Sequence, residues 1–154
     1  MQVSDILRVK GGTLFTVSPE QLLAEAVATM SDRDIGSLVV MDHGDIAGML
    51  TFREVIQAIV ANGGMIGMTR VGGVMDRQPL TCSPETEIDE VRRMMLGRHA
   101  RYMPVLSQRM LMGVISFYDV AKAVVDSQDF ENRMLKAYIR DWPVDEVRDE
   151  KTST

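Results

Sequence analysis

Gly48-Met49-Leu50-Thr51-Phe52-Arg53-Glu54 and Gly113-Val114-Ile115-Ser116-Phe117-Tyr118-Asp119 spell one pattern twice, 65 positions apart. In each, a glycine precedes two apolar residues, a hydroxyl residue, a phenylalanine and, three places after the hydroxyl, an acid. The offset keeps working outward. Thr16, Ser18, Pro19 and Glu20 fall on Thr81, Ser83, Pro84 and Glu85; Glu25 falls on Glu90, Met30 on Met95, Arg33 on Arg98, Val40 on Val105, Val55 on Val120 and Ala58 on Ala123. A self-match that needs no gap identifies an internal repeat, and the repeat decides the fold.

Each copy opens with a short apolar run (Leu14 to Val17, Leu80 to Cys82) that reads as a strand leading into Ser-Pro-Glu. That triplet predicts a helix start, with serine as cap and proline at the first helical position. Leu22, Leu23, Ala26, Val27 and Met30, like Ile88, Val91, Met94 and Met95, then recur at helical spacing. Two aliphatic runs separated by polar turn residues follow and predict hairpins: Ser37 to Met41 with Ile46 to Leu50, and Tyr102 to Leu106 with Met110 to Ile115. Closing helices are predicted over Phe52 to Ala61 and from Phe117 to about Asp126. The unit is β-α-β-β-α and the fold class α+β. A unit this small cannot cover its own apolar face, so the two copies are expected to pack on each other around a pseudo-two-fold axis, leaving equivalent clefts. The expected domains are residues 1–62 with an N-terminal lead-in, a Gly/Met linker over 63–70, a second repeat over 71–126, and an amphipathic helix with a polar tail over 127–154.

The chain has 154 residues, 45% of them apolar, and carries 17 Lys plus Arg against 22 Asp plus Glu, a net charge of −5. That is the wrong sign for non-specific nucleic-acid binding. Cys82 is the single cysteine, which excludes an intramolecular disulfide and multi-cysteine zinc sites and fits a reducing, cytoplasmic compartment. The first residues lack a secretory pattern and no apolar run approaches bilayer length, so neither secretion nor membrane insertion is expected. There is no P-loop, dinucleotide fingerprint or Cys/His dyad, so an enzyme is not expected. His43 and His99 have no metal-ligand spacing, and Cys82, aligned with Val17, reads as a buried small residue.

At the two junctions a helix N-terminus offers free N–H groups and positive potential to an anion, with Thr51 or Ser116 as an extra donor. The acid one turn in, Glu54 or Asp119, can accept two bonds from a vicinal diol such as ribose. The same spacing is also that of a capping box, which needs no ligand.

In order and duplicated, these pieces resemble the CBS domain, named after cystathionine β-synthase, over about Val3 to Val125. Arg33-Asp34-Ile35-Gly36-Ser37-Leu38-Val39-Val40 and Arg98-His99-Ala100-Arg101-Tyr102-Met103-Pro104-Val105 are similar to the family's segments before the hairpin. Two such domains form a Bateman module, and the chain resembles stand-alone bacterial CBS-pair proteins. The resemblance implies binding of AMP, ADP, ATP, NAD or S-adenosylmethionine, a regulatory role toward an effector protein, and a homodimer. It also implies that Asp119 holds ribose and Ser116 phosphate, that Tyr102, Met103 and Pro104 wall the adenine with Thr81 or Cys82 nearby, and that Arg101 supplies phosphate charge, with a reach that extends to the other cleft. In the first copy Glu54 departs from the family's Asp beside Thr51, and Gly36-Ser37 stands where Arg101-Tyr102 stands in the second, with Lys10 as an alternative source of charge. The Asp119 site therefore ranks above the Glu54 site. The competing reading is a ligand-independent interaction module.

Most of the thirteen methionines read as core filler, with Met65, Met68, Met110 and Met112 as candidates for an adaptable surface. Phe130, Met134, Leu135, Tyr138 and Ile139 are spaced as one helical face to be covered by the module itself or across a dimer. Trp142-Pro143 is expected to end that helix ahead of a polar tail from Asp145 to Thr154.

Overall fold

The computed structural model describes residues 1–11 and 13–140; the expected helix stop at Trp142-Pro143 and the polar tail lie outside the described residues. In chain order the elements are α1 (Val3–Lys10), β1 (Thr16–Val17), α2 (Leu23–Arg33), β2 (Ser37–Asp42), β3 (Asp45–Thr51), α3 (Phe52–Ala61), a 3-10 turn (Val71–Gly73), α4 (Ile88–Arg98), β4 (Tyr102–Ser107), β5 (Met110–Ser116) and α5 (Phe117–Arg140). Residues 1–120 form one compact unit and residues from 121 onward a second.

The first copy makes a three-stranded sheet in the order β1-β2-β3, with β1 parallel to β2 and β2 antiparallel to β3. In the second copy only β4 and β5 pair at length. The strand expected over Leu80 to Cys82 is reduced to one parallel bridge between Cys82 and Val105, the counterpart of Val17 against Val40. Both hairpins are two-residue turns with positive φ at both central positions, His43-Gly44 and Gln108-Arg109, the backbone that matches the twist of the flanking strands.

Repetition extends to the core. Leu23, Ala26, Met30, Leu38, Val40, Leu50 and Val55 are buried in the first copy, and Ile88, Val91, Met95, Met103, Val105, Ile115 and Val120 are buried at the same seven places in the second. Burying such side chains supplies most of the folding free energy, about 1.5–3 kcal/mol for each large one.

The Ser-Pro-Glu triplets do not start helices. They are turns, closed by the Gln21 Oε1 accepting from the Ser18 amide at 3.0 Å and the Thr86 hydroxyl accepting from the Ser83 amide at 3.0 Å. The helices begin later, capped by Leu22 and Glu87 without a side-chain bond. What satisfies those helix starts is the lead-in of the other copy. The Leu23 amide donates to Thr69 O at 2.7 Å and Val71 N to Gln21 O at 2.9 Å; correspondingly Ile88 N donates to Met1 O at 3.0 Å and Val3 N to Thr86 O at 2.9 Å. Each copy thus has its helix entrance sealed by the segment that precedes its partner, and α1, which the sequence pattern did not show, packs on the second copy.

This exchange explains the paired glycines of the motif. A β-carbon on Gly48 would meet the Asp76 carbonyl, and one on Gly113 would lie 2.7 Å from Leu7 Cδ2. Without that room Asp76 could not exchange its two backbone bonds with Met49, at 2.9 and 2.8 Å.

The helices expected over Phe117 to about Asp126 and Gln128 to Ile139 are one uninterrupted helix, α5. Within its second unit, Phe130, Met134, Leu135, Tyr138 and Ile139 are all exposed. Among the described residues no helix is long and apolar enough to cross a membrane.

Candidate functional site

Strand β3 delivers Thr51 to the mouth of α3, where it is the N-cap. Its hydroxyl accepts from Arg53 N at 3.2 Å, and Glu54 Oε1 accepts from both the Thr51 amide and the Thr51 hydroxyl at 2.8 Å. A complete capping box results. Glu54 is only 8% exposed, a buried acid whose two bonds fall on a single oxygen.

Beside this box lies a cleft of about 300 Å³, at the lower end of the range for small-molecule sites. Thr51, Arg53 and Glu54 form one wall. Arg98, Arg101 and Tyr102, from the end of α4 to the start of β4, line the cleft as well, together with Asp76, Pro79 and Leu80. Three arginines and the N-terminus of α3 therefore surround a capped acid, a combination suited to an anionic ligand that also carries hydroxyls. Arg53 is tied across to the second copy by a 2.9 Å bond to the carbonyl of His99, the left-handed C-cap of α4.

Strand β5 delivers Ser116 to the start of α5 in the same way. Asp119 Oδ2 accepts from Ser116 N at 2.8 Å, and Asp119 N donates to the Ser116 hydroxyl at 3.1 Å. Here a cation is already in place, because Lys10 Nζ lies 2.8 Å from Asp119 Oδ2 and 2.9 Å from Val114 O. Burial alone would raise the Asp119 carboxyl, but the Lys10 and Ser116 bonds outweigh it and hold the group below the ordinary carboxylate value. Lys10, Val114, Gly36, Ser37, Phe15 and Tyr102 are among the residues lining a smaller recess of about 120 Å³.

The expected site residues are thus redistributed. Arg101 and Tyr102 face Thr51 and Glu54, the motif of the other copy, while Lys10 sits on Asp119 rather than near Glu54. Met103 and Pro104 are buried in β4 and, like Ser116 and Asp119, are not among the residues lining either cleft. Thr81 is exposed and lines neither. Cys82 is buried, and burial pushes its thiol up to about 12.

A family model for the CBS domain matches residues 3–61 and again 71–126. The chain belongs to the CBS-domain family. It is 30% identical to the CBS domain-containing protein YhcV of Bacillus subtilis over 106 residues, covering 69% of this chain and 75% of that one. A protein with CBS domains from Burkholderia ambifaria superposes with a TM-score of 0.78 at 31% identity, covering 83% of this chain and 96% of the other. Two more distant structures share the fold: CBSX2 in complex with AMP (TM-score 0.68, 20% identity, 82% and 98% covered) and the CBS domain pair of MJ0100 in complex with 5′-methylthioadenosine and S-adenosylmethionine (0.71, 21%, 82% and 98%).

Within this CBS pair, Arg53, Arg98, Asp76, Pro79 and Leu80 are cleft residues that the sequence pattern did not single out. Arg53 carried a usable signal, standing between the hydroxyl and the acid of the motif. Arg98 stood in the repeat register with Arg33 and in the segment before the second hairpin, whereas Asp76 carried no signal.

Proposed function

We propose that this CBS pair is a regulatory module, not an enzyme, that binds an adenosine nucleotide in the Thr51–Glu54 cleft and changes shape or partner affinity when occupied. The observation that carries the reading is the meeting, in one cleft, of the α3 N-terminus with Arg53, Arg98 and Arg101 around a capped, buried glutamate. In this reading the phosphate lies toward the arginines and the Thr51 hydroxyl. Glu54, whose Oε1 is taken by Thr51, accepts a ribose hydroxyl through Oε2, and Tyr102 and Leu80 flank the base. AMP, methylthioadenosine and S-adenosylmethionine in complexes of the same fold support adenosine as the ligand class, with ADP, ATP and NAD as further members to test. Ligand bound to one arrangement of the two copies stabilises that arrangement, which is how occupancy reaches an effector protein or a second copy in a homodimer.

A second reading keeps both hydroxyl–acid pairs as caps and nothing more, and the completeness of both boxes favours it. Thermal melting with AMP, ADP, ATP, NAD and S-adenosylmethionine separates the two. A ligand at one hundred times its Kd stabilises the folded state by about 2.7 kcal/mol, a rise on the order of 5–10 °C. The nucleotide reading expects such a rise in the wild type and its loss in Arg101→Ala, an exposed residue whose removal leaves the unliganded melt in place. No rise with any of the five ligands leaves the interaction module as the function.

A further inference from the structure

The two hydroxyl–acid junctions are not equivalent, and one of the differences is a lysine bonded to the second. In the first copy the Met49 carbonyl is taken by the backbone amide of Asp76 at 2.8 Å. In the second copy the corresponding carbonyl, Val114 O, is taken by the ammonium of Lys10 at 2.9 Å, and the same ammonium lies 2.8 Å from Asp119 Oδ2. That oxygen already accepts from the Ser116 amide. The lysine is held there by a built support: α1 is pinned at its first turn by Val3 N to Thr86 O at 2.9 Å and Ser4 N to Pro84 O at 2.8 Å, and Leu7 packs against Gly113. The recess beside Lys10 is less than half the volume of the Thr51 cleft, about 120 against 300 Å³.

We propose that Lys10 is a built-in partner of the Asp119 carboxylate, occupying the oxygen that a sugar hydroxyl would need, which keeps the second copy from taking a nucleoside and makes this CBS pair a one-site module. A diol arriving at Asp119 has to displace a charge-assisted bond that is partly shielded from water, whereas one arriving at Glu54 meets an acid engaged only by its own cap. The inference rests on the nucleotide reading for the Thr51 cleft, and the two can fail separately.

The test is isothermal titration of AMP, ADP and ATP into the full chain, with stoichiometry read per chain, for the wild type, Lys10→Arg and Lys10→Met. Arginine keeps the charge; methionine keeps the stem but removes the ammonium. The expected result is one site in the wild type and in Lys10→Arg, and two in Lys10→Met. Two sites in the wild type, or one site in both the wild type and Lys10→Met, overturns the occupant role and leaves the Thr51 reading standing. No site in the wild type but one in Lys10→Met overturns the Thr51 reading and supports the occupant. Absence of binding in all three overturns both. Should the melt show Lys10→Met unfolded, Lys10→Gln, which keeps a donor for Val114 without the charge, gives the same comparison.

Discussion

The phenol of Tyr102 occupies the space that a β-carbon on Gly36 would need, with the Phe52 ring 3.2 Å from the same point. Position 36 is the counterpart of Arg101, so the second copy's tyrosine dictates the first copy's glycine, and the repeat is asymmetric for a steric reason. The ring borders both the Thr51 cleft and the Lys10 recess, which makes it the partition between them.

Gly36→Ala therefore has to displace Tyr102, at an overpacking cost of about 1–3 kcal/mol. Because the nearest atom is the hydroxyl, shortening the side chain relieves the clash. Gly36→Ala combined with Tyr102→Leu is expected to be more stable than the sum of the two single changes by at least about 0.5 kcal/mol, measured by urea denaturation. Additivity within error would place the ring elsewhere in solution.

The Lys10–Asp119 pair makes stability depend on pH in one direction. Asp119 titrates below its ordinary value in the folded chain, so the unfolded chain binds more protons in that window and stability rises with pH through it. The contribution is fully present above the unfolded value of about 3.9 and is lost as pH falls through the folded value. Lys10→Met is expected to move the folded Asp119 carboxyl up, and so to shift the acid-unfolding limb to higher pH. Carbon-detected NMR titration of Asp119 in both proteins checks the sign.

With its thiol near 12, Cys82 is almost wholly protonated at pH 8, a thiolate fraction on the order of 10⁻⁴. Alkylation of the folded chain is expected to proceed only through opening, and to become fast and complete in urea. Since Val17 holds the equivalent place, Cys82→Val is expected to change stability by less than about 1.5 kcal/mol. Rapid labelling without denaturant would show that the strand carrying Cys82 opens locally.

How much was legible in the sequence follows from how local each signal is. The hairpins and the helices α2, α3 and α4 were readable because periodicity and turn residues act within a few positions. The exchange of lead-ins was not, because Val3 and Val71 are equivalent at an offset of 68 rather than 65, outside the register that aligned everything else. Ser-Pro-Glu read as a helix start because caps and turns draw on the same residues; Gln21 and Thr86, folding back on the serine amides, decide for the turn. At the site, the hydroxyl–acid pairs were visible as spacing. That Arg101 lines the same cleft as Thr51, and that Lys10 bonds Asp119, depends on which segment of one copy meets the other, and no local pattern encodes it.

The second hairpin carries a cost that the first avoids. Arg109 has φ 72°, a left-handed conformation, where the first copy places Gly44 at φ 84°. A residue with a β-carbon pays roughly 1–2 kcal/mol there, against about 0.5–1 kcal/mol of extra unfolded-chain entropy for glycine. Arg109→Gly also removes the Arg109–Asp45 ion pair, but that pair is 3.7 Å apart with side chains 84% and 60% exposed, and such pairs contribute little. The balance favours the variant by about 0.5–1 kcal/mol, while Gly44→Arg should lose a similar amount. Urea midpoints for the two variants and for the double exchange check this: if the turn geometry governs, the changes are opposite in sign and nearly cancel when combined. Destabilisation by Arg109→Gly would mean instead that the arginine's contact with Asp45 across the two hairpins outweighs the backbone term.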